Sequence, residues 1–289
     1  MDYKDWIILK AIFEEKTITK AAESLYISQP ALSNRLKNME KEFDTKILLR
    51  NNNGVIFTPA GGHLLIYARE MLRQLTLTQE KIKNMGDTVY GTLHLGTSSV
   101  FAHCELPAIL QGFIARYPNI DISLKTGLSS KIIKMLQKEE ITVAVVRGDH
   151  FWAEEKYMLR EESLCLASSQ PIIFHNLPHL PRVNYGTDPS LTDMVQNWWY
   201  EIFSCPPNIS MQVDSMDTCR QMVLHNLGWA ILPEIGLKEP NSLYTHKLHW
   251  RDGTPVLRRT WMLYRNSLLE LSAVSAFVNY LQEYYPLKE

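Results

Sequence analysis

Four apolar side chains, Leu32, Leu36, Met39 and Phe43, recur at steps of four, three and four, the narrow stripe that a helix turns towards a core. The opposite face of that segment carries Pro30, Ser33, Asn34, Lys37 and Lys41, small, polar or cationic groups that suit a groove lined with phosphates. Pro30 is tolerated if Ser28 caps the helix, because Gln29 and Pro30 then stand in the first turn, where backbone N–H groups have no helical partner to lose. Upstream, Thr17 caps a short helical run to Leu25, and Tyr26 and Ile27 are left for the turn. Trp6, Ile7, Leu9, Ile12 and Phe13 supply an earlier amphipathic helix. Two helices joined by so short a turn predict a helix-turn-helix, whose second member enters the DNA major groove.

The following stretch, KILLRNNNGVIFT, sets two β-prone runs around Asn53-Gly54 and predicts a tight hairpin, the wing of a winged helix. From there Arg50, Asn52 and Asn53 could reach backbone or minor groove. Pro59 opens a helix expected to run to about Asp87. Its positions Leu64, Ala68, Met71, Leu75, Thr78, Ile82 and Met85 alternate in steps of four and three, a heptad seam that predicts pairing with a second helix. A helix lying on its own domain is the alternative.

From Gly91 the periodicity changes to alternating strand and helix. GTLHLGTSS, IDISLKTGLSS and ITVAVVRG read as strands, with FAHCELPAILQGFIARYP and KIIKMLQKEE as helices between them, an order that predicts a parallel sheet. Ligands of such sheets sit beyond the carboxyl ends of the strands. Ser98 and Ser99 follow the first strand, Ser129 and Ser130 the second, and Arg147 ends the third. Hydroxyls and amides at two helix starts, with an arginine in need of a counter-charge, predict an anion site, although each serine alone reads as a helix cap. A second α/β unit is expected over about residues 162–265. In its VLRRTWMLYR strand, Arg258 and Arg259 must face opposite ways. The last amphipathic helix, LLELSAVSAFVNYLQEYY, is expected to return to the first unit.

Composition narrows the function classes. The 289 residues are 45% hydrophobic and 21% charged with a formal net charge of −1, so any nucleic-acid contact must be local rather than global. Cysteines 104, 165, 205 and 219 form no CxxC pair, which excludes the usual zinc and disulfide patterns. Pro178 breaks the helical spacing of His175 and His179, and no metal or cofactor is expected. No phosphate-loop, dinucleotide, nucleophile-elbow or zincin motif occurs, so an enzyme is not expected. Neither a charged-then-apolar leader nor a run of about 18 apolar residues is found, and the expected compartment is the bacterial cytoplasm.

The run TITKAAESLYISQPALSNRLKNMEKEFDTKILLRNNNGVIFTPAG resembles the DNA-binding end of LysR-type transcriptional regulators, in its AA..L..SQPALS core, the Arg50 after the apolar run and the T-x-AG close. The resemblance extends over the whole chain. It implies an N-terminal all-α winged helix-turn-helix (1–58), a long linker and dimerisation helix (59–88), and a C-terminal α/β two-lobed effector-binding domain (89–289) like the periplasmic binding proteins. Lobe I would comprise about 89–161 and 267–289, and lobe II about 162–266. The DNA-reading positions implied are Ser28, Gln29, Pro30, Ser33, Asn34, Lys37, Arg50 and Asn53. Many relatives carry arginine at the places of Asn34 and Asn53, so fewer phosphate contacts and a shallower salt dependence are expected here. Within the family, the TSS, GLSS, VVRG and VLRRTW segments look most like the citrate-responsive catabolite-control regulators of Gram-positive bacteria. That likeness implies that Ser98, Ser99, Ser129, Ser130, Arg147 and Arg258 hold a tricarboxylate, with promoter DNA and a homodimer or homotetramer completing the picture. A family member sensing an amino acid or aromatic acid is one alternative. A two-lobed solute-binding protein or enzyme is the other, and it leaves the first sixty residues without a purpose.

Overall fold

Each of the first three helices starts at a side chain that satisfies its free amides. In α1 (Tyr3–Glu15) the Asp2 carboxylate accepts from the Lys4 and Asp5 amides, and Asp5 returns the bond to the Asp2 amide. Thr17 caps α2 (Ile18–Ser24) and Ser28 caps α3 (Gln29–Glu42), whose second residue is Pro30. This computed structural model describes residues 1–51, 54–83, 89–237 and 243–286, in two units, Met1–Gly86 and Asp87–Glu289. In the first unit Ile8, Leu9 and Ile12 of α1 meet Ala21 of α2 and Leu32 and Met39 of α3 in one core. Phe43, expected on the stripe, falls just past the end of α3 and is exposed.

The wing consists of β1 (Leu48–Asn51) and β2 (Gly54–Phe57), paired antiparallel with Asn51 opposite Gly54. Residues 52 and 53 lie outside the described residues, and Gly54, expected at the tip with Asn53, instead opens β2. Gly54 is required for another reason. Its φ is +130°, and a Cβ there would come within 2.3 Å of the Lys16 carbonyl, which already accepts the Val55 amide at 2.9 Å.

Helix α4 (Pro59–Lys83) begins at Thr58, whose hydroxyl accepts from the Gly61 amide at 2.9 Å and donates to the Lys46 carbonyl at 2.6 Å. Gly61 lets the helix close on the wing, since a Cβ would stand 2.2 Å from the Ile47 carbonyl oxygen. The expected pairing seam is divided. Leu64 and Ala68 pack into the unit's own core, Met71 and Leu75 are half-buried, and Thr78 and Ile82 are exposed. Met85, and the stretch over which the helix was expected to continue, lie outside the described residues.

The second unit opens with β3 (Gly91–Ser98). The single helix expected next is two, α5 (Ser99–Cys104) and α6 (Leu106–Arg116), broken at Glu105. Pro107 is the cause: it has no N–H to continue α5 and fits only the first turn of a new helix. Then come β4 (Ile120–Gly127), α7 (Ser129–Gln137) and β5 (Val143–Arg147), with β3 central and parallel to both other strands.

Strand β6 (Glu155–Ser168) is the longest and passes from the first lobe to the second. The second lobe holds β7 (Arg182–Tyr185), α8 (Pro189–Ile202), β8 (Ile209–Val213), α9 (Met216–Leu224), β9 (Ala230–Pro233) and β10 (Tyr244–Lys247). Trp198, Trp199 and Trp229 are each about 1% exposed in its core, with Trp199 stacked on Trp229. The chain returns through β11 (Leu257–Tyr264), expected within the second lobe but found in the first lobe's sheet, antiparallel to β5 and to residues 155–163 of β6. Residues 164–168 of β6 pair instead with β9 and β10. The return to lobe I thus falls near residue 257 rather than 267, because β11 completes the ladder that β5 leaves open. Helix α10 (Ser272–Tyr284) sets Phe277 edge-on against Phe113 of α6 at 5.0 Å.

The neighbouring glycines of α4 should respond oppositely to alanine. Gly61→Ala should destabilise the first unit by about 1–3 kcal/mol through the clash with the Ile47 carbonyl. Gly62→Ala, with open space around it, should stabilise by about 0.5–1 kcal/mol through helix propensity alone. Urea unfolding of the two variants checks both.

Candidate functional site

The exposed face of α3 is assembled from its first two turns. Ser28, Gln29, Pro30, Asn34 and Lys37 are exposed, and Ser33 is half-buried and accepts from Gln29 Nε2 at 3.2 Å. Ala31 adds an exposed methyl group of the kind that contacts thymine methyls. The other cation near this face, Arg35, is engaged elsewhere, with ion pairs to Asp2 at 2.8 Å and Asp5 at 3.3 Å that tie α3 to the start of α1. Lys37 and Lys41 have no ion pair among the described residues. Tyr26, read only as a turn residue, is 97% exposed and held at φ +54° beside the start of α3. An aromatic ring so fully offered to solvent next to a recognition helix is a candidate backbone contact, and its signal in the sequence was an apolar residue off the stripe. The Arg50 side chain and Asn53 lie outside the described residues.

In the second unit the six expected effector residues do not form one open basin. Ser98 is buried and caps α5, accepting from the Phe101 amide at 3.4 Å, while Ser99 is exposed. Ser129 and Ser130 begin α7, but their amides are already taken: Ser129 donates to Asp188 Oδ2 at 2.9 Å and Ser130 to Asp188 Oδ1 at 3.0 Å. Asp188 precedes α8 in the second lobe, so a carboxylate of the protein joins the two lobes at the helix start predicted to hold an anion. Burial pushes this carboxyl up, but the amides and hydroxyls of Ser130 and Ser129 outweigh that and leave it below the ordinary aspartate range.

Arg147 also meets a counter-charge from within. Its guanidinium contacts Glu162, whose second oxygen accepts the Ile235 amide at 2.7 Å. Burial first and the neighbouring Arg258 second pull Arg147 down from the ordinary arginine range.

Arg258 is different. It is 3% exposed and donates from Nη2 to the Arg147 carbonyl at 3.3 Å, but Nε and Nη1 have no hydrogen-bond partner among the described residues. Thr260 Oγ1 and Ser190 Oγ are buried and unpartnered as well. Thr260 lies opposite Arg147 in the ladder, and a Cβ on Gly148, next after Arg147, would come within 2.8 Å of Ser190 Oγ, so both hydroxyls belong near this cluster. Burial depresses Arg258, while the Tyr185 phenol and Asp188 carboxylate support its charge. Arg259, on the opposite face, is half-buried and pairs with Glu161 at 2.7 Å and Asp149 at 3.3 Å. Thr260 was legible from strand alternation with Arg258. Asp188, Glu162, Tyr185 and Ser190 reach the site from distant segments that no local pattern marks.

Residues 3–62 match the bacterial regulatory helix-turn-helix proteins of the lysR family, and residues 86–286 match the LysR substrate binding domain. The chain belongs to the LysR family. It is 40% identical to the uncharacterized HTH-type transcriptional regulator YraN of Bacillus subtilis (strain 168), over 98% of each chain. It is 33% identical to a second regulator of that strain, YkuM, over 98% of this chain and 97% of the relative. Among solved structures, CbnR in complex with its target DNA superposes with a TM-score of 0.62 at 18% identity, over 98% of this chain and 99% of that one. Full-length OxyR from Pseudomonas aeruginosa gives 0.67 at 17%, over 98% and 95%. As a LysR-family protein the chain is a DNA-binding transcriptional regulator with an effector-binding domain. No helix among the described residues is long and apolar enough to cross a membrane.

Because the Asp188 pKa is lowered in the fold, its contribution to stability is present above the ordinary aspartate value of about 3.9 and is lost as pH falls through the lowered one. Asp188→Asn should therefore cost about 1–3 kcal/mol at neutral pH and flatten the acid limb of the stability profile. Denaturation across a pH series measures both.

Proposed function

We propose that this LysR-family regulator reads two-part promoter sites in the cytoplasm as a homodimer, paired further into a homotetramer. A small carboxylate anion between its lobes sets the spacing of the DNA-reading units. Ser28, Gln29, Pro30, Ser33, Asn34 and Lys37 would face the groove, with Arg50 and Asn53 on the flanking backbone. The exposed seam positions Thr78 and Ile82 of α4, Ile82 being 61% exposed, support pairing through that helix.

The effector reading rests on one observation: a buried arginine, Arg258, with two unpartnered donor atoms. An unmet buried donor costs about 1–3 kcal/mol, so an acceptor that reaches it is bound the more firmly. An arriving carboxylate would bind Arg258 and compete with Asp188 for the Ser129 and Ser130 amides. Exchange of an internal carboxylate for a free one gives the ligand different contacts in the two states, which any ligand-driven shift requires. The lobes then settle differently, and with them the two recognition helices.

Citrate is the first candidate: one carboxylate for Arg258 beside Arg147, one for the Ser129 and Ser130 amides, and one near Ser98 and Ser99. A monocarboxylate, such as an amino acid or aromatic acid, is the second reading. It is favoured by the Glu162 contact, which leaves Arg147 without a free charge to offer a trianion.

Citrate should raise the melting temperature of the full chain, and Arg258→Gln should abolish the rise without unfolding the protein. Arg147→Ala should instead lower the starting stability by about 3–5 kcal/mol, because Glu162 is left buried and unpaired. A rise with monocarboxylates and none with citrate selects the second reading, and no rise with any acid defeats both. For DNA, Lys37→Ala should weaken binding evenly across sequences and reduce the slope of log affinity against log salt by about 1. Fluorescence anisotropy at several salt concentrations reads this slope.

A further inference from the structure

A second buried arginine stands apart from the inter-lobe cluster. Arg182, on β7 of the second lobe, is 6% exposed and lines a cavity of about 250 Å³ beneath α8. Its guanidinium lies 5.4 Å from the Trp229 ring centroid, and its one side-chain hydrogen bond is a long 3.4 Å contact to Asn184 Oδ1. Nε has no partner, and no carboxylate lies within ion-pair distance among the described residues. Burial draws Arg182 down to about 10, with only the Cys219 thiol and Tyr185 phenol near enough to support its charge. At neutral pH it is a buried cation without an anion, an arrangement that proteins rarely leave standing.

The cavity specifies what would answer it. Its walls are Leu191, Val195, Trp199 and Ile231, an apolar floor built from one face of α8 and strand β9. Thr192, Gln196 and Tyr200, one position on along the same helix, are exposed and form the rim. No acidic residue lines it among the described residues. One guanidinium matches one negative charge, the apolar floor matches a ring or branched chain, and the volume admits only a small molecule.

We infer that the second lobe carries its own binding site for a small monocarboxylate with an apolar body, its carboxylate on Arg182 and its body against Trp199 and Val195. The site has its own cation and its own apolar floor, shares Tyr185 with the Arg258 cluster, and does not depend on which effector that cluster takes. The two are neighbours along the chain: Tyr185 and Thr187 line the cavity, and the next residue, Asp188, holds the Ser129 and Ser130 amides. An occupant here therefore bears on the segment that joins the lobes.

Calorimetric titration of the full chain with phenylacetate and with 3-methylbutanoate tests this, at concentrations to about 10 mM, enough to saturate a site of ~1 mM Kd. At least one of the two acids should give saturable heat with the wild type and with Arg258→Gln. Measured in the Arg258→Gln background, which removes the inter-lobe cation, binding should weaken tenfold or more on adding Arg182→Gln, which removes the charge. It should weaken equally in Gln196→Trp, which places a large ring at the mouth from an exposed helix position and leaves the core intact. If Arg182→Gln does not fold, Gln196→Trp decides. Absence of saturable heat from both acids overturns the inference. So does undiminished binding in either folded variant, and so does loss of binding in Arg258→Gln, which would move the site to the inter-lobe cluster.

Discussion

One carboxylate with a fully enclosed side chain, Glu162, sits where the lobes of the effector domain meet. It contacts Arg147 at the end of β5, lies 3.7 Å from Arg160 along its own strand, and accepts the Ile235 amide from the second lobe. Immediately beyond it, β6 exchanges one set of strand partners for another. A buried ion pair of this kind adds little net stability over an apolar equivalent. What it does is fix charge: with Arg147 answered from inside, Arg258 is the cation of this cluster left with unpartnered donors among the described residues. The proposed ligand site takes its character from that division.

The local parts of this architecture were legible because local chemistry imposes them. Thr17 and Ser28 cap helices because the amides ahead of them need acceptors, and Pro30 can stand only where no amide is missed. Arg258 and Arg259 part ways because successive strand residues do. What the sequence concealed was set by groups distant along the chain. Asp188 is 58 residues from Ser130, and nothing near either residue announces the bond. Gly54 looked like a hairpin tip, whereas its lack of a side chain answers to a carbonyl at Lys16. The proline that divides α5 from α6 was visible, but the apolar periodicity across it was the louder signal. β11 was misplaced because a strand carries no mark of the sheet it will join.

The proposed recognition surface is short of charge. Arg35 is occupied by Asp2 and Asp5, Asn34 contributes an amide, and Lys37 and Lys41 remain as the cations of α3 free of ion pairs among the described residues. Hydroxyl, amide and methyl groups outnumber cations on the exposed face. Such a surface discriminates among base edges better than it grips phosphates. It gains more from joining two copies than a strongly basic one would, since each copy alone holds weakly.

The two chain crossings between the lobes are not independent tethers. Leu164 on β6 donates to the Val256 carbonyl and accepts from the Leu248 amide, so the outgoing and returning strands are stitched together at the waist. A jaw on a loose hinge can swing wide, whereas two crossings that share backbone hydrogen bonds cannot move independently. Were a molecule to settle between the lobes as proposed, these bonds would oppose their parting, and any movement it drove would have to carry both crossings together.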